Sequence, residues 1–391
     1  MACLPQSWSA TVTESFQVRS GVKQGCVIAP TLFAIFVATI IHIIKDDLPP
    51  GIEIVYRTDG RLFNLAHLKS KIKTSTNSLI EFQYADDNSV GALSENHLQQ
   101  FLTAFNCAYT KLRLAINSRK TQIIYQPSPI ETNRIEPSFQ LGEKTLENVD
   151  YFLYLGSHLS SNVDLNDEIQ HRLKCAGTAF GCLRTRVLHD HDIRTDTKML
   201  VYKAVVIPTL LYASETWTTY RRHLKALEKF HQRCLQNILN ISWEDRRTNV
   251  SVLNEPKTTS IEAYVIKNQL RWSGHVVWMK DECLPKQIFC SQLKEGKHKR
   301  DGQQKRFKDV LKANMKKCNI DINNWETNAK DRKLRQAINR EGTATFKANR
   351  CAELEEKRRK WRGGSNNQSP ICHLELPVLN AKELSKPRLD S

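Results

Sequence analysis

Hydrophobic and polar positions change their period along the chain. Residues 32–44, LFAIFVATIIHII, are apolar except for Thr39 and His42. Pro30 suits the first turn of a helix, and Pro49, Pro50 and Gly51 stop it. Thirteen residues fall short of the ~20 that a bilayer crossing needs, so a buried core helix is expected. The acid pair Asp46–Asp47 beside the prolines reads as a solvated turn. GIEIVYR, starting at Gly51, alternates with period two and predicts a strand. LIEFQY, residues 79–84, alternates too, with Asp86-Asp87-Asn88 as its turn. The stretch from Ser94 to Leu112 predicts a helix with Ser94 as N-cap and Leu98, Phe101, Leu102 and Phe105 on one face. TQIIYQ and VDYFLYLGS predict two further short strands.

After residue 160 the period becomes helical. Ile169, Leu173, Ala176, Phe180, Leu183 and Val187 form one amphipathic face, with Arg172, Arg184 and Arg186 on others. A second helix, about 221–240, carries Leu224, Leu227, Phe230, Cys234 and Ile238. Trp217 and Trp272 lie in apolar runs and are expected to pack between helices. Beyond residue 290 the chain is very polar. Residues 294–309 hold seven Lys/Arg against three acids, EEKRRKWR (355–362) repeats the theme, and 363–391 read as a disordered tail.

Charge sharpens this division. Residues 1–160 carry 14 Lys+Arg and 14 Asp+Glu, and the rest carry 44 and 27, so the net charge of +17 lies wholly in the second part. A basic part joined to a neutral one suggests a polyanion partner. The 11 Cys include no CxxC pair, which argues for reduced thiols in a nuclear or cytoplasmic protein. MACLPQSWSA has no basic region followed by an apolar core, so secretion is not expected. Neither a membrane nor a protein partner is expected.

The chemistry concentrates in EFQYADDNSV, residues 81–90. Adjacent carboxylates repel and need a compensating cation when they leave water. At a hairpin turn, Asp86 and Asp87 can share divalent ions, and hard oxygen ligands suit Mg²⁺. Two-metal phosphoryl chemistry, with ions ~3.5–4 Å apart, needs a further carboxylate on a neighbouring strand.

YADD flanked by apolar residues resembles the palm motif of reverse transcriptases. SGVKQGCVIAPTLF resembles their second palm motif, LAINSRKTQII the motif with a lysine near the nucleotide phosphates, and FLYLGS the hairpin that grips the primer. The four occur in the family's order. The nearest likeness is to reverse transcriptases of non-long-terminal-repeat (non-LTR) retrotransposons, over roughly residues 15–360; VIPTLLYASETW (206–217) and residues 270–289 look like the thumb and basic C-terminal region of such elements.

The resemblance implies an α+β fold: a partial palm over 1–160, a helical thumb over 161–245, a basic helical region over 246–362 and the tail. It implies template-directed DNA synthesis with Mg²⁺ or Mn²⁺, an RNA template, a DNA primer and deoxynucleoside triphosphates. Asp86 and Asp87 match the metal-binding pair, Tyr84 the residue along the primer end, and Lys120 a proton donor to the leaving pyrophosphate. Gln24 and Gly25 match the turn over the template–nucleotide pair, where a side chain at Gly25 would block the approach. The third carboxylate and the fingers should precede Gly21, where the only acid is Glu14. The expectation is therefore a truncated, weakly active or inactive chain. The alternative is a non-enzymatic nucleic-acid-binding protein. The cluster Lys297, Lys299, Arg300, Lys305, Arg306 and Lys308 would supply contacts in either case.

Overall fold

The apolar run behind Pro30 does form a helix. In the computed structural model, which describes residues 25–59, 62–63, 68, 72–127, 136–295 and 305–364, α1 spans Ala29–Ile44 and continues into a 3-10 turn, Lys45–Asp47. Its burial differs from the expectation. Only Ile40 and Ile44 are buried, while Val27, Ile28, Leu32, Phe33, Ile35 and Phe36 are exposed. The reason is the lack of neighbours: the last two turns pack on α2 (Glu95–Lys111), and among the described residues nothing encloses the first two. With its 3-10 extension the helix reaches 19 residues and is long and apolar enough to cross a membrane. The apolar run alone had suggested a shorter element.

Ser94 caps α2 by accepting a hydrogen bond from His97 N, and Phe101, Phe105 and Ala108 form its buried stripe. The strand expected over 79–84 is two strands. β1 (Ile52–Tyr56) pairs antiparallel with β2 (Ser75–Leu79), whereas β3 (Glu81–Tyr84) pairs with β4 (Asp87–Val90). Alternation runs unbroken across Ile80, so only the change of partner reveals the break. Gly51 is required at the start of β1, since a Cβ there would collide with the Leu79 carbonyl.

Short pairings follow: β5 (Gln122–Ile123) with β8 (Glu147–Asn148), β6 (Gln140–Leu141) with β7 (Lys144–Thr145), and the hairpin of β9 (Tyr151–Tyr154) and β10 (Ser157–Ser160). Leu155 and Gly156 turn this hairpin with positive φ at both positions, the backbone that matches the strand twist.

The helical part begins with α3 (Asn166–Leu183), whose stripe continues through a π-helical turn, Arg184–Leu188. Next come α4 (Thr195–Val201), a second π turn (Tyr202–Val206), α5 (Ile207–Leu210), α6 (Arg221–Ile238) and α7 (Asn249–Asn254). Ile169, Ala176, Tyr202, Leu210, Leu227, Leu235 and Trp217 share one core. A second core joins α8 (Ile261–Trp278), α9 (Leu284–Cys290), α10 (Phe307–Lys317), α11 (Trp325–Lys330) and the start of α12 (Arg332–Gly364). Trp272 packs there edge-on against Phe289 and Phe307 at 5.8 and 5.7 Å. β11 (Ser291–Leu293) returns to pair with β1. One compact unit runs to Phe346, and a second, Lys347–Ser391, begins within α12.

Arg172, beside the apolar stripe of α3, is buried. It is 6% exposed, its Nε donates to Glu168 Oε1 at 2.8 Å, and its guanidinium lies 4.9 Å over the Tyr212 ring. Glu168, 3% exposed, also accepts from His158 N at 2.7 Å, which ties β10 to α3.

Candidate active site

Asp86 and Asp87 are placed by hairpin geometry. The turn is not Asp86-Asp87-Asn88 as expected: Tyr84 pairs directly with Asp87, so Asp87 and Asn88 belong to β4 and Ala85 and Asp86 make the turn, with Ala85 at φ 53°. Directly opposed residues on paired strands share a face. Tyr84 and Asp87 therefore stand together with Phe82 and Ser89, and Tyr84, Phe82 and Asp87 are exposed. The other face carries Glu81, Gln83, Asn88 and Val90 and packs inward, with Val90 against the α1–α2 core. Asn88 Nδ2 donates to Glu81 there at 3.3 Å, and burial raises the Glu81 pKa. The hairpin's third acid thus faces away from Asp87.

The carboxylate hairpin is held by the next one. The Tyr154 phenol of β9 donates to Phe82 O at 2.8 Å. Its pKa is raised, first by burial and then by the Asp87 charge. At the tip of the β9–β10 hairpin, Leu155 O accepts from the Tyr212 phenol at 2.8 Å. Neither tyrosine stood out in the sequence, where alternation predicted the strand but not the direction of a phenol.

Gly25 has φ +84°, and no atom lies within 4 Å of where its Cβ would be. Glycine is thus required there by backbone conformation. Gln24 lies outside the described residues. Lys120 is exposed in the turn before β5, its N–H bonded to Asn117 O at 3.0 Å. Among the described residues, no three His, Cys, Asp or Glu side chains converge for a metal ion.

Of the expected basic cluster, Lys297, Lys299 and Arg300 lie outside the described residues. Lys305 and Arg306 are exposed, with Lys305 Nζ 4.8 Å from the Tyr220 ring centroid. Lys308 departs from the cluster. It is half-buried against a cavity of about 510 Å³ also lined by Arg57, Cys290 and Glu326, and burial lowers its pKa.

Residues 2–159 match the family of reverse transcriptases (RNA-dependent DNA polymerases). Those residues are a reverse-transcriptase domain. The chain is 25% identical over 289 residues to a transposon-derived protein of Caenorhabditis elegans, covering 70% of this chain and 99% of that protein. It is 24% identical over 245 residues to the RNA-directed DNA polymerase from the mobile element jockey of Drosophila funebris. That match takes in 61% of this chain but 24% of the jockey protein. The carboxylate hairpin and the hairpin that holds it both lie inside the reverse-transcriptase domain.

Proposed function

We propose that the outward face of the β3–β4 hairpin is the metal-binding edge of a reverse-transcriptase active site. Residues 1–160 would form part of the palm, 161–245 the thumb and 246–362 a basic nucleic-acid-binding region. The observation that carries this reading is the pairing of Tyr84 with Asp87 on the exposed face of a hairpin within the reverse-transcriptase domain. Asp86 and Asp87 supply hard oxygen donors suited to Mg²⁺ or Mn²⁺, which commonly takes one or two carboxylates plus waters and substrate phosphates. A bound ion supplies charge stabilisation to the transferring phosphoryl group. Tyr84 lies along the primer end, Gly25 gives its turn room beside the template–nucleotide pair, and Lys120 donates a proton to the leaving pyrophosphate. Tyr154 fixes the hairpin relative to these groups.

Two carboxylates hold one ion but bridge two poorly, and Glu81 faces the core. We therefore propose weak or no polymerase activity for this chain alone. Mn²⁺ should bind weakly and broaden backbone NMR signals around Asp86 and Asp87, and the double variant Asp86→Asn/Asp87→Asn should abolish the broadening. Primer extension on an RNA template with Mg²⁺ should not exceed that of the double variant. Broadening centred elsewhere would remove the site from this hairpin. Robust extension abolished by Asp86→Asn would show that another acid completes it.

A second reading, a non-enzymatic nucleic-acid-binding protein, is favoured by the confinement of the net positive charge to residues after 160. The two readings are compatible, since a polymerase also needs that grip.

A further inference from the structure

Resting on the reading that the basic part binds nucleic acid, we infer that the solvent face of α6 and the turn after it bind a single nucleic-acid strand. The cations of α6 track the phosphates, and Trp243 stacks on an unpaired base.

The inner face of α6 is buried through Leu227, Cys234, Leu235 and Ile238. Its outer face carries Lys225, Lys229 and Arg233, all exposed and four residues apart. At 1.5 Å per residue they form a ridge about 12 Å long. Among the described residues, none of the three has an ion pair or side-chain hydrogen bond. The helix's single acid, Glu228, is turned toward α8 and accepts from Ile261 N at 2.8 Å. Unpaired cations in regular array with no acid among them suit a regular polyanion.

The helix ends in a left-handed cap: Asn240 has φ 52°, and Ile241 N donates to Gln236 O at 2.9 Å. Trp243 follows at once and is 85% exposed, a state that leaves a large apolar ring in water. Its turn is preformed by Ser242 N donating to Asp245 at 2.7 Å and Arg246 N to Trp243 O at 3.3 Å. Arg246 is exposed at φ 46° and has no ion pair among the described residues. An exposed aromatic ring is a sequence-tolerant stacking platform for an unpaired base. The acids Glu244 and Asp245 offset the charge of this turn, so phosphate contact belongs to α6 and stacking to Trp243.

The test uses the full chain and fluorescence anisotropy with labelled oligo-U RNA, oligo-dT and a blunt duplex over a salt series. Changing Lys225, Lys229 and Arg233 to Ala should reduce the slope of log affinity against log salt by about 2 for single strands, three phosphates at ~0.7 each. Trp243→Ala should weaken single-strand binding by roughly 5- to 150-fold, with much less effect on the duplex, and Trp243→Phe should retain most of the affinity. These positions are exposed, so urea midpoints should not move. Salt-dependent binding whose slope survives the triple change would leave the basic reading standing and overturn this site. So would an equal loss on duplex and single strand in Trp243→Ala, or self-association of the chain that Trp243→Ala abolishes. No salt-dependent binding by the wild-type chain would overturn both.

Discussion

Replacing Arg172 by methionine is expected to cost about 3–5 kcal/mol of folding stability, because it leaves a buried carboxylate without its counter-charge. Glu168 is 3% exposed and, among the described residues, receives two hydrogen bonds, from Arg172 Nε and His158 N. Methionine keeps most of the volume but removes the bond, the charge and the stacking over Tyr212. The double variant Arg172→Met/Glu168→Gln should recover much of the loss, since glutamine still accepts from His158 N and carries no charge to strand. Urea unfolding of the single and double variants measures this. A single-variant loss under about 1 kcal/mol would mean that the pair is as dispensable as a surface ion pair.

Stability should also fall by about 3 kcal/mol between pH 7 and pH 4 through His231 alone. Burial holds this ring at a pKa of about 4, against an ordinary 6.5. Its Nδ1 and the Tyr202 hydroxyl are 2.7 Å apart, and its Nε2 is 3.2 Å from Thr259 O. The neutral ring with its proton on Nε2 satisfies both contacts. Because the folded pKa is depressed, the unfolded chain takes up the proton first. The contribution is complete above pH 6.5 and is lost as pH falls toward the folded value. His223 is shifted in the same direction, chiefly by burial, and adds to the slope. In His231→Gln the unfolding midpoint should be lower at pH 7 but flatter with pH. An unchanged slope would show that His231 is not the group that titrates.

What the sequence disclosed follows from which forces are local. The β3–β4 hairpin, the Ser94 cap and the stripes of α3 and α6 were legible because each depends on residues a few positions apart. The exposure of α1 was not, because burial belongs to whatever packs on a helix, and Phe33 reads the same covered or bare. The burial of Arg172 was not legible, because it rests on Glu168 and on the distant Tyr212. The break between β2 and β3 was hidden by unbroken alternation. The α6 ridge was legible in principle: applying the four-residue step to cations, as it was applied to apolar residues, gives Lys225, Lys229 and Arg233. Within the candidate site, Asp86, Asp87 and Tyr84 came from motif and period, whereas Tyr154 and Tyr212 act through long-range bonds that no local pattern encodes.

Those two tyrosines bear on how the hairpins tolerate mutational drift. Both acceptors, Phe82 O and Leu155 O, belong to the main chain. Substitutions at Phe82 or Leu155 change a side chain and leave each carbonyl in place, whereas loss of either phenol cuts a tether outright. Each of these two contacts thus depends on one side chain rather than two, while the Glu168 bond to His158 N ties β10 to α3 separately. Random substitution along the two hairpins would spare these contacts except where it removed Tyr154 or Tyr212.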